Sequence, residues 1–211
     1  MIGANERPAI RPRSSLGDPR SPGHRLRDSA KADVVIVGAG ITGALIARSL
    51  AQRGLSIIVL DRREPAHGST MASTALLQWE IDTPLVRLAD RIGFERASRA
   101  WRRCFSAVAD LEQLVSDHRI RCGFTSRRAL YLAGDVMGAN ELGEEASGRQ
   151  SIGLASILLD ARQLRDGFRI DRPAALISEG VADVDPARLT IGLLRRAQRM
   201  GGKIFYPEEL S

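Results

Sequence analysis

The chain has 211 residues, 44% of them hydrophobic, which is long and apolar enough to bury one well-packed core. Its net charge of +6 is concentrated at the start, because residues 1–31 contain seven Arg or Lys and three acids, a balance of 7 − 3 = +4. The rest is nearly neutral and contains five Phe, two Tyr and two Trp, which argues against a basic, aromatic-lined nucleic-acid surface.

The sequence predicts a soluble protein. No run of about 18 apolar residues marks a membrane span, and no apolar stretch of the signal-peptide kind precedes a cleavage site. Cys104 and Cys122 have neither the spacing of a metal site nor that of a disulfide framework. We therefore expect a cytoplasmic protein with reduced cysteines, no metal site and no membrane span.

Order is predicted to begin near Ala32, after a Pro-, Gly- and Arg-rich leader that we expect to be disordered. The apolar run Val34–Val37 is typical of a buried parallel strand. The glycine-rich segment Gly38–Gly43 follows, and then a helix that ends near Gly54. A second apolar run, Ile57–Leu60, completes a βαβ unit of about 30 residues.

After a polar loop, a helix-rich stretch is predicted with breaks at Pro84 and near Gly93. Phe94–Asp117 has apolar residues every three or four positions and is predicted to form one long amphipathic helix. The later predicted strands are 122–124, 129–133, 156–159, 174–178 and 203–206. The later predicted helices are 140–149, 161–168 and one that Asp185-Pro186 opens and Gly201-Gly202 ends.

The segment Gly38–Gly43 has the pattern G-x-G-x-x-G, in which each glycine meets a physical requirement. Gly38 permits the tight turn, Gly40 lets a pyrophosphate approach the backbone, and Gly43 lets the helix pack closely on the strand. The free N–H groups and the positive dipole end of the helix favour a phosphate without a lysine. Because a strand precedes this segment and a helix follows it, the pattern predicts a dinucleotide-binding turn.

The residues beyond the second strand bear on the identity of the dinucleotide. Asp61 lies 23 positions after Gly38, near the offset of about 20 residues at which a carboxylate binds ribose hydroxyls. An acid there disfavours a 2′-phosphate, which leaves NAD and FAD. The hydroxyl-rich segment Gly68–Ala75 follows the strand and is placed to donate to a pyrophosphate or to ribityl oxygens, which favours FAD.

These motifs resemble those of a known family, the FAD-dependent oxidoreductases of the D-amino-acid oxidase, glycine oxidase and sarcosine oxidase type. The resemblance rests on residues 33–43, 59–62, 68–75 and 185–205. It extends over about residues 32–211 and is loosest between residues 85 and 170. It implies an α/β fold in which a Rossmann-type FAD-binding βαβ unit is interleaved with a helical and mixed α+β part of a substrate domain.

The resemblance also implies domains and cofactor-binding residues. Composition alone predicts residues 1–31 as the disordered basic leader. The resemblance implies that 32–83 form the FAD-binding unit, 84–180 an insertion that belongs partly to the substrate domain, and 181–211 the truncated return to the FAD domain. The residues matched to FAD-binding positions are Gly38, Ala39, Gly40, Ile41, Thr42, Gly43, Asp61, Arg62, Ser69, Thr70, Ser73, Thr74, Ala75 and Leu210. Among them Asp61 matches the ribose-binding acid, Arg62 lies by the adenine, and Leu210 matches an aliphatic residue whose backbone meets the adenine.

The implied function is oxidation of an amine or amino acid by hydride transfer to FAD, with a small-molecule substrate and no nucleic-acid partner. Family members are close to twice this length, so we expect a fold incomplete at its C-terminus and a chain that is inactive alone. Two alternatives stay open, a non-catalytic or unstable truncated fragment and an NAD-dependent dehydrogenase. No residue is assigned a catalytic role, because His24, His67 and His118 have no paired carboxylate in the sequence pattern.

Overall fold

The computed structural model describes residues 21–27 and 29–209. Its strands are β1 (Val34–Val37), β2 (Ile57–Leu60), β3 (Leu76–Leu77), β4 (Thr125–Leu132), β5 (Ser156–Asp160), β6 (Ala174–Asp183) and β7 (Lys203–Phe205). Its helices are α1 (Ile41–Gln52), α2 (Leu85–Ile92), α3 (Phe94–Asp117), α4 (Ala139–Ser151), α5 (Ala161–Phe168) and α6 (Pro186–Arg199). The predicted α/β fold class with a Rossmann-type βαβ unit is confirmed.

The chain divides into two compact units, which we call the parallel-sheet unit and the antiparallel-sheet unit. The parallel-sheet unit contains the described residues of 11–75, 113–124 and 184–211, and the antiparallel-sheet unit contains 76–112 and 125–183. The chain passes from one unit to the other at 75/76, 112/113, 124/125 and 183/184. In neither unit does a described helix combine the length and apolar character needed to cross a membrane.

The parallel-sheet unit is built on three parallel strands in the order β1-β2-β7. The central strand β2 is buried along Ile57–Val59, because it has a neighbouring strand on each side and α1 packs against it. α1 packs against α6. Ala44 and Ala47 of α1 are fully buried, because side chains of this size let the helix lie close to its neighbours.

Helix α6 begins and ends where the sequence predicts. The Asp185 carboxylate accepts a hydrogen bond from the Arg188 N–H at 2.9 Å, and Pro186 occupies the first helical turn, where its missing N–H costs nothing. After the helix, Gly201 adopts a φ of +95°, a conformation that glycine reaches without strain. These signals return the chain into β7 beside β2.

The sequence predicts a disordered leader up to about residue 31, and the structure differs from this prediction. His24 forms a parallel bridge to Phe205, so the chain is already paired with β7 well before Ala32. Residues 1–20 and 28 of that leader lie outside the described residues. The leader prediction was therefore wrong for residues 23–26, because a Pro- and Arg-rich composition does not reveal pairing with a strand about 180 residues away.

The antiparallel-sheet unit is built around β6. Its first half pairs with β4 on one side and β5 on the other, and its second half pairs with β4 and β3. The pairing with β4 shifts register between Arg127 and Ala129, near the point where Gly180 adopts a φ of +78°. A Cβ on Gly180 would lie 2.8 Å from a Phe105 ring carbon, so both the backbone conformation and the space require glycine.

Two predicted strands need correction. The segment 122–124 forms no strand, because its Cys122 carbonyl accepts the Asp185 N–H at 2.7 Å at the start of α6, and the strand begins at Thr125 instead. β6 extends beyond the predicted 178 to Asp183, because Gly180 accommodates an irregularity where the sequence suggested an end. The short strand β3 was not predicted. Both cysteines are free.

A buried ionic cluster lies in the core of the antiparallel-sheet unit. Arg149 of α4 is 1% exposed and donates to Glu145 Oε1 at 2.8 Å and to Glu80 Oε1. Glu145 also accepts the N–H groups of Leu85 and Val86 at 2.9 and 3.0 Å, at the positive end of α2. The charges are therefore paired and hydrogen-bonded, which is the condition for burying them.

Aromatic rings surround this cluster. The Trp79 and Trp101 rings meet edge to face with centroids 5.7 Å apart, and both residues are buried. The guanidinium carbon of Arg149 lies 4.7 Å from the Trp101 ring centroid. This contact adds a cation–π attraction to the ion pairs.

The parallel-sheet unit contains a second notable cation contact. Arg48 of α1 lies with its Nη2 2.7 Å from Nε2 of His118, just past the end of α3. Because an arginine only donates, His118 Nε2 is the acceptor and carries no proton. Burial, and then the positive charges of Arg48 and Arg196, lower the pKa of His118, against a smaller opposing effect of Asp117.

We expect Arg149→Met to lower the free energy of unfolding by about 3–5 kcal/mol, because it leaves the buried Glu145 carboxylate and the partly buried Glu80 carboxylate without their cation. Urea denaturation of the full chain measures this. The control is Arg162→Met, which removes the cation of an exposed pair on α5 and should change the unfolding free energy by less than about 1 kcal/mol. Equal effects of the two substitutions would show that the cluster contributes no more than a surface ion pair.

The lowered pKa of His118 leads to a second prediction, which concerns how stability depends on pH. A histidine with a lowered folded-state pKa favours the neutral form, so its contribution to stability is full above the unfolded pKa of 6.5 and is lost as pH falls towards the folded pKa. The melting temperature should therefore drop between about pH 7.5 and about pH 5.5. In His118→Gln, which keeps an acceptor for Arg48, this drop should shrink, and an unchanged drop would assign it to other groups.

Candidate dinucleotide-binding site

The glycine turn lies between β1 and α1 and is held by both neighbours. Gly38 adopts a φ of +105°, and its N–H donates to the Leu60 carbonyl at 2.7 Å. A Cβ on Gly43 would lie 1.9 Å from the Gly38 carbonyl oxygen. Only glycine fits at position 43, because the helix crosses directly over the turn that precedes it.

The N-terminus of α1 is open at the glycine turn. Gly40 is the N-cap in extended conformation and has no side chain with which to cap the helix. The first hydrogen bond of the helix runs from the Ala44 N–H to the Gly40 carbonyl at 2.9 Å, so the N–H groups of Ile41–Gly43 precede the helical ladder. Such donors, with the helix dipole behind them, form a site for an anion.

Thr70 brings the hydroxyl loop to this helix end. Its Oγ1 accepts the Ile41 N–H at 3.1 Å, and the residue is 4% exposed. A Cβ on Gly40 would lie 3.1 Å from the same Oγ1, so a side chain at position 40 would press on the hydroxyl. A hydroxyl that accepts one hydrogen bond still has its own proton to donate. Thr70 therefore presents a donor at the mouth of the helix.

Asp61 follows β2 and faces the glycine turn. Its Oδ2 accepts the Ala39 N–H at 2.7 Å, and its Oδ1 accepts the Arg63 N–H at 2.9 Å. The backbone of Asp61 is fixed as well, because its N–H donates to the Phe205 carbonyl and its carbonyl accepts the Glu208 N–H. The carboxylate is thus held at the carboxyl ends of all three parallel strands, where ligands of open α/β sheets bind.

The structure brings some of the predicted residues together and leaves others apart. Gly38–Gly43, Asp61 and Thr70 form one connected group through the hydrogen bonds above. Arg62, Ser69, Ser73 and Thr74 are exposed on the loop after β2, and Leu210 lies outside the described residues. The predicted residues Ser73 and Ala75 contact each other, since the Ala75 N–H donates to Ser73 Oγ at 3.1 Å.

Two residues of this region were missed by sequence reasoning. The Ala66 N–H donates to the Ala39 carbonyl at 3.1 Å and fixes the hydroxyl loop to the glycine turn. The Glu208 N–H donates a hydrogen bond to the Asp61 carbonyl. Neither lies in a motif, and Ala66 adopts a φ of +68° that its residue type does not indicate.

In the part of the chain that the structure describes, no three His, Cys, Asp or Glu side chains are grouped to hold a metal ion.

Known structures share this fold. The chain aligns with a glycine oxidase from Bacillus cereus at a TM-score of 0.65 and 20% identity, over 84% of this chain and 46% of that one. It aligns with an L-proline dehydrogenase from P. horikoshii at a TM-score of 0.68 and 18% identity, over 86% of this chain and 45% of that one. These likenesses establish the fold.

The curated relatives are much longer than this chain. One component of the anaerobic glycerol-3-phosphate dehydrogenase of Escherichia coli is 28% identical over 89% of this chain and 32% of its own length. A putative Rieske 2Fe-2S iron-sulfur protein of Bacillus subtilis is 22% identical over 85% of this chain and 35% of its own length. The chain spans about a third of the length of these relatives.

A family model completes the comparison. The model described as "FAD dependent oxidoreductase" (DAO) matches residues 33–211, the range that contains the glycine turn, Asp61 and Thr70. This match covers most of the chain and confirms the family resemblance, and with it FAD rather than NAD as the cofactor. The chain belongs to the DAO family of FAD-dependent oxidoreductases.

Proposed function

We propose that this chain forms the cofactor-binding unit, and part of the substrate-binding unit, of an oxidoreductase that oxidises an amine or amino acid with FAD. The observation that carries the proposal is the arrangement of the glycine turn. Asp61 is bonded to Ala39 on one side of the turn, and the open N-terminus of α1 lies on the other side. This arrangement separates a ribose-binding group from a phosphate-binding group.

The helix end fits a pyrophosphate. The N–H groups of Thr42 and Gly43 precede the helical ladder, and the Thr70 hydroxyl retains a proton to donate. Gly40 offers no Cβ between the backbone and an approaching anion. These groups would hold the pyrophosphate of FAD through hydrogen bonds and the helix dipole.

The carboxylate of Asp61 fits a ribose. An ionised carboxylate has about four lone-pair positions, and the Ala39 and Arg63 N–H groups occupy two of them. The remaining positions can accept hydroxyl protons, and the two existing bonds fix the orientation of the carboxylate. Around these groups we assign Arg62 to the adenine side and Ser69, Ser73, Thr74 and Ala75 to the pyrophosphate and flavin side. Leu210, outside the described residues, is assigned to the adenine.

The reaction class follows from the cofactor. When bound, FAD supplies the two-electron acceptor, and the residues of this chain bind and orient it. The carbon bearing the amine would lose a hydride equivalent. Support for an amine or amino-acid substrate comes from the similar structures, which are named as a glycine oxidase and an L-proline dehydrogenase.

A second substrate class has support of its own. The curated relatives at 28% identity are named as glycerol-3-phosphate dehydrogenases, which points to an alcohol carbon rather than an amine carbon. Anaerobic mixing of the FAD-loaded oxidoreductase that contains this chain with glycine, proline or glycerol 3-phosphate separates the two substrate classes. Bleaching of the flavin absorbance by glycerol 3-phosphate, with none by the amino acids, would contradict the amine proposal.

Asp61→Ala should weaken the binding of FAD by about 10- to 100-fold, because a charge-assisted hydrogen bond contributes roughly 1.5–3 kcal/mol. Titration of the apo chain with FAD, followed by flavin fluorescence, measures the dissociation constant. Asp90→Ala removes an exposed acid in the other unit and is the matched control for charge. If the two variants bind FAD alike, Asp61 does not hold the ribose.

Gly43→Ala should abolish FAD binding and lower the free energy of unfolding by about 3 kcal/mol or more, because the new methyl would overlap the Gly38 carbonyl oxygen. Gly167→Ala is the control, since a Cβ at that helical position meets nothing within 4 Å. That substitution should leave binding unchanged. Binding and urea denaturation are measured together, and a Gly43→Ala variant that binds FAD normally would contradict this geometry.

A further inference from the structure

Residues 21–27, which we call the N-terminal strap, lie along the outer edge of β7. The His24 N–H donates to the Ile204 carbonyl at 3.2 Å, and the Tyr206 N–H donates to the His24 carbonyl at 3.1 Å. The strap therefore pairs with β7 through an isolated parallel bridge between His24 and Phe205. In the described part of the chain no other segment pairs with this edge.

The strap is packed against β7 as well as hydrogen-bonded to it. Pro22 is buried. Gly23 adopts a φ of +122°, and a Cβ there would lie 2.8 Å from the Ile204 carbonyl oxygen. The His24 ring meets the Phe205 ring edge to face, with centroids 5.2 Å apart. The close approach needs glycine at position 23, so this segment fits the edge specifically.

The far end of the strap reaches the candidate site through one residue. The Leu26 N–H donates to Glu208 Oε1 at 2.8 Å. The Glu208 N–H in turn donates to the Asp61 carbonyl at 2.8 Å. Asp61 then holds the Ala39 N–H with its carboxylate. Three hydrogen bonds in series connect the strap with the glycine turn.

These hydrogen bonds can help to hold a ligand-binding group in place. A ligand-binding group must be held within about 0.5 Å of its working position, and this depends on the groups behind it. The Asp61 carbonyl is held by the segment after β7, and Glu208 is the described residue of that segment bonded both to the strap and to Asp61. Without the strap, the Glu208 side chain loses this backbone donor.

We propose that the N-terminal strap is a positioning element of the dinucleotide site, which acts on Asp61 through the Leu26–Glu208 hydrogen bond. In this view residues 21–27 belong to the cofactor-binding unit. The effect on ligand affinity rests on the proposed FAD-binding function, whereas the effect on the backbone of Glu208 does not.

The test uses the full chain with Leu26→Pro, which removes the donor N–H, and Leu26→Ala, which keeps it. FAD titration should show about tenfold weaker binding for Leu26→Pro and little change for Leu26→Ala. A second pair of variants examines the acceptor. Glu208→Ala should weaken FAD binding similarly, whereas Glu208→Gln, whose amide oxygen still accepts the Leu26 N–H, should bind FAD like the unsubstituted chain. Equal loss in Leu26→Ala and Leu26→Pro would overturn the proposal.

Hydrogen exchange of the apo chain gives a readout independent of FAD. The Glu208 amide should exchange faster in Leu26→Pro than in Leu26→Ala, while amides of β2 stay protected in both, which shows that the sheet is intact. Unchanged exchange at Glu208, or tighter FAD binding in Leu26→Pro, would overturn the proposal. If the unsubstituted chain binds no FAD, the proposed function fails, and exchange at Glu208 alone decides the role of the strap.

Discussion

The contact between the Gly38 carbonyl and Gly43 is the constraint on which the rest of the parallel-sheet unit depends. A Cβ at position 43 would lie 1.9 Å from that oxygen, so α1 can start directly over the end of β1 only with glycine there. The same close start brings the helix donors to the carboxyl edge of the sheet. It also fixes the Ala39 N–H where the Asp61 carboxylate can accept it.

Sequence reasoning succeeded where several local signals agreed. The βαβ unit combines β-branched strands, a glycine turn and a helix stop at Gly54, and α6 combines Asp185 and Pro186 at its start with Gly201 after its end. It failed where structure depends on distant pairing. The strap needs β7, and β6 continues past Gly180 because β4 and β3 pair with its second half.

The candidate site shows the same division. The position of Asp61 follows from its spacing to the glycine turn, and the hydroxyl loop is visible in composition. What composition does not reveal is which hydroxyl is used, and Thr70 is distinguished only by its burial and its bond to Ile41. Glu208 was missed because its link to Asp61 is a backbone hydrogen bond between segments far apart in sequence.

The electrostatics of the turn would allow an acid and the pyrophosphate of the proposed cofactor to share it. Two anions at one helix end would repel, and the turn separates them by dividing its donors. The Ala39 N–H, before the helix, donates to the Asp61 carboxylate, while the N–H groups of Thr42 and Gly43 and the Thr70 hydroxyl would be the donors to the proposed phosphate. The helix dipole favours both charges. A lysine is therefore unnecessary. The neighbouring strands and the segment after β7 must instead hold Asp61 in its position.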